Sequence, residues 1–178
     1  HFMFNAMNSI KALIDENPIR SKQAVTELSN VLRNSLVHAK KELVSLSEEM
    51  TIVSDYLSLE KIRYEERLIV VTNIESKTNS HLIPPLLIQT LVENSIKHGI
   101  SKLKEGGELE INSREENGFH CIEIKNSGKL RTRINSETSI GIQNIQKRLE
   151  LLYGERAAFE LKELEGKVVA RVNLPLNE

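Results

Sequence analysis

The spacing of apolar residues changes once along this chain of 178 residues, at about Leu68, and the change limits the folds open to it. Before that point apolar residues recur every three or four positions, which is the period of amphipathic helices. After it, short β-branched runs such as residues 69–74 lie between turn signals, which is typical of strands. We therefore predict a helical region over residues 1–67 and an α+β domain over residues 68–178.

Three helices are predicted in the first part. The first helix carries an apolar stripe that suits a partner helix, formed by Met3, Met7, Ile10 and Ile14. Asn17-Pro18 ends this helix and begins the second, because Asn caps a helix and Pro fits its first turn. The third begins at a capping box, Ser45-Leu46-Ser47-Glu48. Because these stripes lack a partner set in the region itself, we predict a homodimer; the alternative is that the α+β domain covers them.

The second part has the predicted order β-α-β-β-loop-α-β-β. Its helices are expected over residues 86–98 and 142–153, and its hairpins turn at Asn117-Gly118 and Glu165-Gly166. Residues 127–140 are polar and are expected to be irregular. This order predicts an antiparallel or mixed sheet with helices on one face, an α+β sandwich behind a helical stalk.

Composition excludes several functions. The 24 basic and 25 acidic residues give a net charge of -1, so no overall field attracts nucleic acid, and we expect no nucleic-acid partner. The single cysteine, Cys121, excludes an internal disulfide and a thiolate metal site. No apolar run reaches the roughly 20 residues of a spanning helix. Since the chain starts at His1 without Met, we expect a fragment, which leaves a preceding membrane segment open.

His1 and Asn5 form the first cluster of candidate functional residues. They would lie on one face of the first helix, one turn apart. A neutral imidazole with an ordinary pKa of about 6.5 is a competent nucleophile at pH 7. The alternative is a histidine left from a tag, or a surface histidine without a role.

The second cluster lies on the helix predicted over residues 86–98. Its buried stripe would consist of Ile88, Val92 and Ile96. Asn94, Lys97 and His98 would then share the opposite face, where an amide oxygen can bind Mg²⁺ and the cations can neutralise phosphate. The alternative is an ordinary solvated helix face.

The third cluster joins the end of a predicted strand to a later helix. Asn126, followed by Gly128, stands where an amide can meet the edge of a base. Gly141 is predicted to open the later helix, whose first amides and dipole would attract an anion. The alternative is a plain connection in which the glycine only relieves the backbone. Together the clusters could surround one triphosphate.

Four segments of the sequence resemble a known family. They are His1-Phe2-Met3-Phe4-Asn5-Ala6-Met7-Asn8, Tyr56-Leu57 through Arg67-Leu68, Pro84-Pro85-Leu86-Leu87 with Leu91-Val92-Glu93-Asn94-Ser95-Ile96-Lys97-His98-Gly99, and Gly141-Ile142-Gln143-Asn144-Ile145-Gln146-Lys147-Arg148-Leu149. In this order they resemble the phosphoacceptor segment, the dimerisation helices, the N box and the last glycine motif of sensor histidine kinases of the LytS/YehU type. The resemblance implies an N-terminal helical dimerisation hairpin followed by an ATP-binding α/β sandwich of the GHKL (Bergerat) fold.

The same resemblance implies a two-component histidine kinase, the cytoplasmic domain of a membrane sensor whose sensor region precedes this fragment. His1 would take the γ-phosphate of ATP and pass it to an aspartate of a response regulator. Asn5 would orient water for dephosphorylation of that regulator, and Asn94 would hold Mg²⁺. Implied contacts to the nucleotide come from Lys97, His98 and Arg148 at the phosphates, Asn126 and Gly128 at adenine, and Gly141 and Asn144 in the last glycine motif.

This chain departs from the family pattern at two places. Related kinases commonly have Asp where Asn126 stands, and an amide accepts the hydrogen bond of the adenine amino group without the charge. The glycine motifs also lack members, with Ser139 at one position and Lys129-Leu130 at another. These departures leave a second hypothesis open, a dimeric scaffold that keeps the fold without the chemistry. A third, another ATPase of the superfamily such as a chaperone or repair protein, does not account for the phosphoacceptor segment.

Overall fold

In the computed structural model the described residues are 2–38, 40–130 and 136–176, with the backbone alone for 136–139. The helices are α1 (Phe2–Glu16), α2 (Pro18–His38), α3 (Leu46–Tyr64), α4 (Leu87–Asn94) and α5 (Ser136–Tyr153). The strands are β1 (Val44–Ser45), β2 (Leu68–Ile74), β3 (Leu82–Ile83), β4 (Gly107–Glu116), β5 (Phe119–Ser127), β6 (Ala158–Leu164) and β7 (Lys167–Pro175).

Helices α2 and α3 begin where the sequence predicts. The Oδ1 atom of Asn17 accepts a hydrogen bond from the Arg20 amide at 3.0 Å, which caps α2. Ser45 and Glu48 form both hydrogen bonds of the predicted capping box at the start of α3. A single 3₁₀ turn, Glu65–Arg67, joins α3 to β2, so the helical region passes into the sheet almost without a linker.

A five-stranded mixed sheet forms the second part, in the order β2-β4-β5-β7-β6. Strand β2 pairs parallel to β4, and the remaining pairs are antiparallel. At the predicted hairpin turn Asn117 and Gly118 have φ angles of 52° and 80°, as a type I′ turn requires. The predicted α+β class with a mixed sheet and helices on one face is confirmed.

The core lies between the inner face of the sheet and helices α3, α4 and α5. The predicted stripe is buried, with Ile88 and Val92 on α4 fully inaccessible and Ile96, on the π-helical turn Ser95–Gly99, nearly so. These side chains pack with alternate residues of β4, β5 and β7, namely Leu109, Ile111, Ile122, Ile124, Val172 and Leu174. Apolar residues of α3 belong to the same cluster, so α4 is fixed from two sides.

Three features differ from the sequence prediction. The structure contains a short strand that the sequence does not predict, β3, which pairs with β1 in a ladder of two residues. The predicted helix over residues 86–98 becomes π-helical at Ser95–Gly99. Helix α5 begins at Ser136 rather than near Gly141, so part of the predicted irregular segment is helical and residues 131–135 lie outside the described ranges.

Helices α1 and α2 leave a broad apolar surface open, which we call the stalk surface. Its members are Met3, Phe4, Met7, Ile14, Val25, Leu32 and Leu36. The exposed fraction is 57% for Met7 and 73% for Leu36, so the α+β domain does not cover this surface within one chain. In the described ranges, no helix combines the length and apolarity needed to cross a membrane.

Candidate nucleotide site

The start of α1 packs against α3. His1 is outside the described residues, but the ring of Phe2, the next residue, is 4.7 Å from the ring of Tyr56. Burial raises the pKa of Tyr56, and the carboxylates of Glu60 and Glu93 raise it further. Tyr56 therefore lies near both Phe2 at the start of α1 and Glu93, the residue before Asn94 on α4. The start of α1 and the N box thus lie on the same side of the molecule. Asn5 is half-buried on α1.

Helix α4 presents Asn94 at its last residue. The Asn94 side chain is half-buried, and its Nδ2 atom has no hydrogen-bond partner among the described residues. A buried amide nitrogen without a partner needs an explanation, and an acceptor oxygen supplied by a bound ligand would satisfy it. Lys97 is exposed and His98 half-buried on the π-helical turn, a distortion that is frequent at functional sites.

The end of β5 packs under that π-helical turn. Asn126 is 3% exposed, and its Nδ2 atom donates to the Ser127 carbonyl at 2.9 Å. A Cβ at Gly99 would overlap the Asn126 amide, and a Cβ at Gly128 would lie 3.6 Å from the Gly99 Cα. Glycine is therefore required at position 99 for close approach, and the structure brings Asn126 and Gly128 together at the end of the N box.

Gly141 does not open α5, and this part of the sequence prediction is wrong. Since the helix starts at Ser136, the amide of Gly141 falls beyond the first four unpaired amides. Gly141 instead allows α5 to approach α4: its Cβ would lie 3.3 Å from Asn94 Nδ2 and 3.4 Å from Thr90 Cγ2. The glycine motif and the N box are thus in direct contact, as the proposed common site requires.

A cavity of about 210 Å³ lies between the start of α4 and one face of α5. Its lining residues include three of the predicted nucleotide contacts, Gly141, Asn144 and Arg148, together with Pro84, Pro85 and Thr90. Asn126 and Gly128 do not line this cavity. The predicted residues therefore divide into a group on α5 and a group at the end of β5, with Asn94 in contact with the first.

Arg148 is placed differently from the phosphate contact that the sequence implies. Its Nη1 atom donates to the Pro85 carbonyl at 3.0 Å and its Nη2 atom to the Lys41 carbonyl at 3.3 Å. Its guanidinium thus ties α5 to the turn before α4 and to the loop before α3. A role at the phosphates stays a prediction.

Sequence reasoning missed Glu49, which is fully buried on α3. Its Oε2 atom accepts from the Leu86 amide at 2.8 Å and its Oε1 atom from the Gln89 amide at 3.1 Å. Desolvation raises its pKa, while these amides and the charge of Arg148 oppose that rise. In the sequence Glu49 follows Glu48 in an ordinary helix start, so no local signal distinguishes the two carboxylates.

The residues fit a magnesium site completed by phosphate. Among the described residues, no group of three or more His, Cys, Asp or Glu side chains could hold a metal ion. Mg²⁺ commonly uses one or two protein oxygens and takes its other ligands from water and substrate phosphates. Asn94 offers one such oxygen, Oδ1, which would lie 3.9 Å from a Cβ at Gly141.

Comparison with known proteins supports these assignments of fold and family. Residues 1–68 match the histidine kinase family profile. The sensor histidine kinase/phosphatase LytS of Staphylococcus aureus strain MRSA252 is 34% identical over 175 residues, which cover 91% of this chain and 30% of LytS. LytS of strain Mu50 is equally similar. The chain thus spans about 30% of the length of these curated relatives.

Solved structures show the same fold. The catalytic domain of histidine kinase ThkA has a TM-score of 0.58 at 15% identity and covers 78% of this chain and all of that domain. Histidine kinase AdeS of Acinetobacter baumannii has a TM-score of 0.54 at 14% identity, over 100% of this chain and 96% of AdeS. The predicted resemblance and the predicted histidine kinase fold are confirmed.

Proposed function

We propose, on the premise that this chain is a homologue of the LytS-type sensor histidine kinases, that it phosphorylates its own His1 from ATP and passes the phosphoryl group to a response regulator. The contact between Gly141 and Asn94 is the observation that carries this proposal. It places the last glycine motif on the N box, on the side where α1 begins.

The residues divide the work of nucleotide binding. Asn94 holds Mg²⁺, which neutralises phosphate charge when bound, and Lys97 and His98 bind the phosphates. Asn126 and Gly128 bind adenine at the end of β5, next to Gly99. Gly141 and Asn144 contribute from α5, whereas the two hydrogen bonds of Arg148 favour a role in holding the helices together.

The reaction consists of two phosphoryl transfers. An imidazole nitrogen of His1 attacks the γ-phosphorus of ATP, and the bond from that phosphorus to the bridging oxygen breaks, releasing ADP. A carboxylate oxygen of the regulator's aspartate then attacks the phosphohistidine and frees the imidazole. Positioning and charge neutralisation supply most of the catalysis in such transfers.

Two partners follow from this function. The stalk surface suits a second copy of this chain, because α1 and α2 expose it over their whole length. The structure of histidine kinase ThkA in complex with response regulator TrrA, at a TM-score of 0.50, supports a regulator as the second partner. The name of LytS includes a phosphatase, and Asn5 would orient water for that reaction. A membrane sensor region would lie in a part of the protein that corresponds to the length of LytS outside the matched 30%.

A second candidate function, the non-catalytic scaffold, is favoured by one observation. Because the Nδ2 atom of Asn126 donates to the Ser127 carbonyl, the side chain offers the adenine amino group its amide oxygen, which lacks the charge of a carboxylate. If base binding is too weak, the fold and the dimer persist without phosphoryl transfer.

Incubation with γ-labelled ATP and Mg²⁺ separates the two candidates. The kinase gives an acid-labile, base-stable label that disappears in His1→Gln and persists in the histidine control His81→Gln. A fluorescent ATP analogue is titrated in parallel. Absence of both label and nucleotide binding in the wild type would support the scaffold and contradict the kinase.

A further inference from the structure

Helix α4 begins without the side-chain N-cap that usually stabilises the first turn of a helix. Its N-cap residue is Leu86, which has no side-chain acceptor and adopts a left-handed conformation with φ 62°. Left-handed backbone is strained for a leucine and persists only where the surroundings hold it. The first amides of a helix also need acceptors, which an ordinary N-cap would supply.

Side chains hold four polar backbone groups at this strained turn. The buried carboxylate of Glu49 accepts from the amides of Leu86 and Gln89. The Oγ1 atom of Thr90 donates to the Leu86 carbonyl at 2.6 Å. Arg148 donates to the Pro85 carbonyl. Glu49 therefore replaces the missing cap of α4, and it does so from helix α3.

The turn at Pro85-Leu86 also contacts both helices of the candidate site, α4 and α5. Helix α4 runs eight residues from the turn to Asn94, a distance of about 10 Å along a rigid helix. Helix α5 is tied to the same turn by Arg148 and touches Asn94 at Gly141, two helical turns earlier. A shift at the turn is therefore transmitted to Asn94 relative to Gly141.

We infer that Glu49 is a positioning residue that sets Asn94 for the magnesium-bound nucleotide and couples helix α3 to that site. The inference rests on the proposed nucleotide-binding function and adds to it a residue outside the four family-like segments. Movement of α3 changes the hydrogen bonds that Glu49 accepts from the start of α4. By linkage, nucleotide binding at Asn94 strengthens these hydrogen bonds.

Glu49→Gln tests the inference, with Glu48→Gln as the matched control. Glu48 is the preceding carboxylate and also caps a helix, but it caps α3 itself and bonds Ser45 and Lys41. The readout is the ratio of affinities for a fluorescent ATP analogue with Mg²⁺ and with EDTA. We expect Glu49→Gln to lower this ratio about tenfold, the scale of outer-shell effects on metal binding, and Glu48→Gln to leave it unchanged.

If the role of Glu49 is purely structural, Glu49→Gln lowers the melting temperature without changing the affinity ratio, and that result would overturn the inference. Failure of the wild type to bind the analogue at all would instead contradict the proposed function.

Hydrogen exchange on the wild type gives a second test that no folding defect can obscure. Addition of Mg²⁺ and the analogue should slow exchange of the Leu86 and Gln89 amides more than that of the Glu48 amide, which Ser45 caps. Equal slowing at the two caps, or none at α4 despite nucleotide binding, would refute the coupling.

Discussion

Gly141 lies so close to Asn94 that a Cβ at position 141 would come within 3.3 Å of the Asn94 amide nitrogen. Such a contact is tighter than ordinary van der Waals packing, so the neighbour must move when a methyl group is added. The residue type at position 141 thus decides where the candidate magnesium ligand sits. This relationship joins the N box to the glycine motif more directly than their spacing in the sequence suggests.

Gly141→Ala is expected to weaken nucleotide binding with little loss of stability. Alanine stabilises a helix interior by about 0.5–1 kcal/mol relative to glycine, which offsets the crowding. Displacement of Asn94 should weaken binding of the Mg²⁺–ATP analogue about tenfold. The melting temperature and the dissociation constant are both measured, with Leu151→Ala on the exposed face of α5 as control. Unchanged affinity would show that position 141 is not coupled to the site.

Charges on the stalk surface should dissociate the dimer. In Met7→Glu or Leu36→Glu a carboxylate replaces an exposed apolar side chain, so a partner helix would have to desolvate it. We expect the dimer dissociation constant to rise about tenfold or more for each, as for residues central to an interface. Sedimentation velocity measures this. Leu151→Glu, which alters an equally apolar but more exposed residue on α5, should remain dimeric. A wild type that sediments as a monomer at high concentration would contradict the dimer itself.

Stability should fall as the pH falls through the range where His120 titrates. His120 is 1% exposed and bonds the Ser113 hydroxyl at 2.7 Å. Burial, and then the nearby His81, lower the pKa of His120 from 6.5 to about 4. Between these values the unfolded chain binds a proton that the folded chain excludes, so stability is lost from pH 6.5 downward, approaching about 3 kcal/mol near pH 4.

Urea titrations at pH 7 and pH 4.5 measure this loss. In His120→Gln, whose amide can still bond Ser113, the difference between the two pH values should be smaller by about 2–3 kcal/mol. Equal pH dependence in the variant and the wild type would show that His120 does not set it.

Asn126→Asp should exchange stability for nucleotide binding. The carboxylate would place an acceptor against the Ser127 carbonyl, where the amide now donates at 2.9 Å. In the protein without nucleotide we expect a loss of about 1–3 kcal/mol, the cost of an unsatisfied buried pair. The adenine amino group would give the carboxylate a donor, so an ATP analogue should raise the melting temperature of the variant more than that of the wild type. A guanine analogue, which lacks that amino group, is the control.

The parts of the fold with a local signal could be predicted from the sequence. Asn117-Gly118 adopts the positive φ angles that its residue types favour, and the capping box at Ser45 and Glu48 forms. The period of Ile88, Val92 and Ile96 identified the buried face of α4 and of the π-helical turn that follows it, because this face packs into the core along its length.

The remaining features depend on contacts between distant segments. The ladder of β1 and β3 has two residues on each side, too short for any alternation of side chains. The burial of Glu49 is decided by the turn at Leu86, which lies 37 residues away. The start of α5 at Ser136 lies in a polar stretch without an apolar period, and the pattern therefore predicts a later beginning for this helix.

The 3₁₀ turn Glu65–Arg67 has a mechanical consequence for any signal that reaches this chain through its helices. Three residues span at most about 10 Å, and here they are wound into a turn, so the joint has no slack. Rotation of α3 about its axis therefore moves β2, the first strand of the sheet, because the connection between them is too short to compensate. The hairpin of α1 and α2 packs on α3, where Ser58 bonds both Arg20 and Glu27, so a rotation of α3 also changes its contacts with that hairpin.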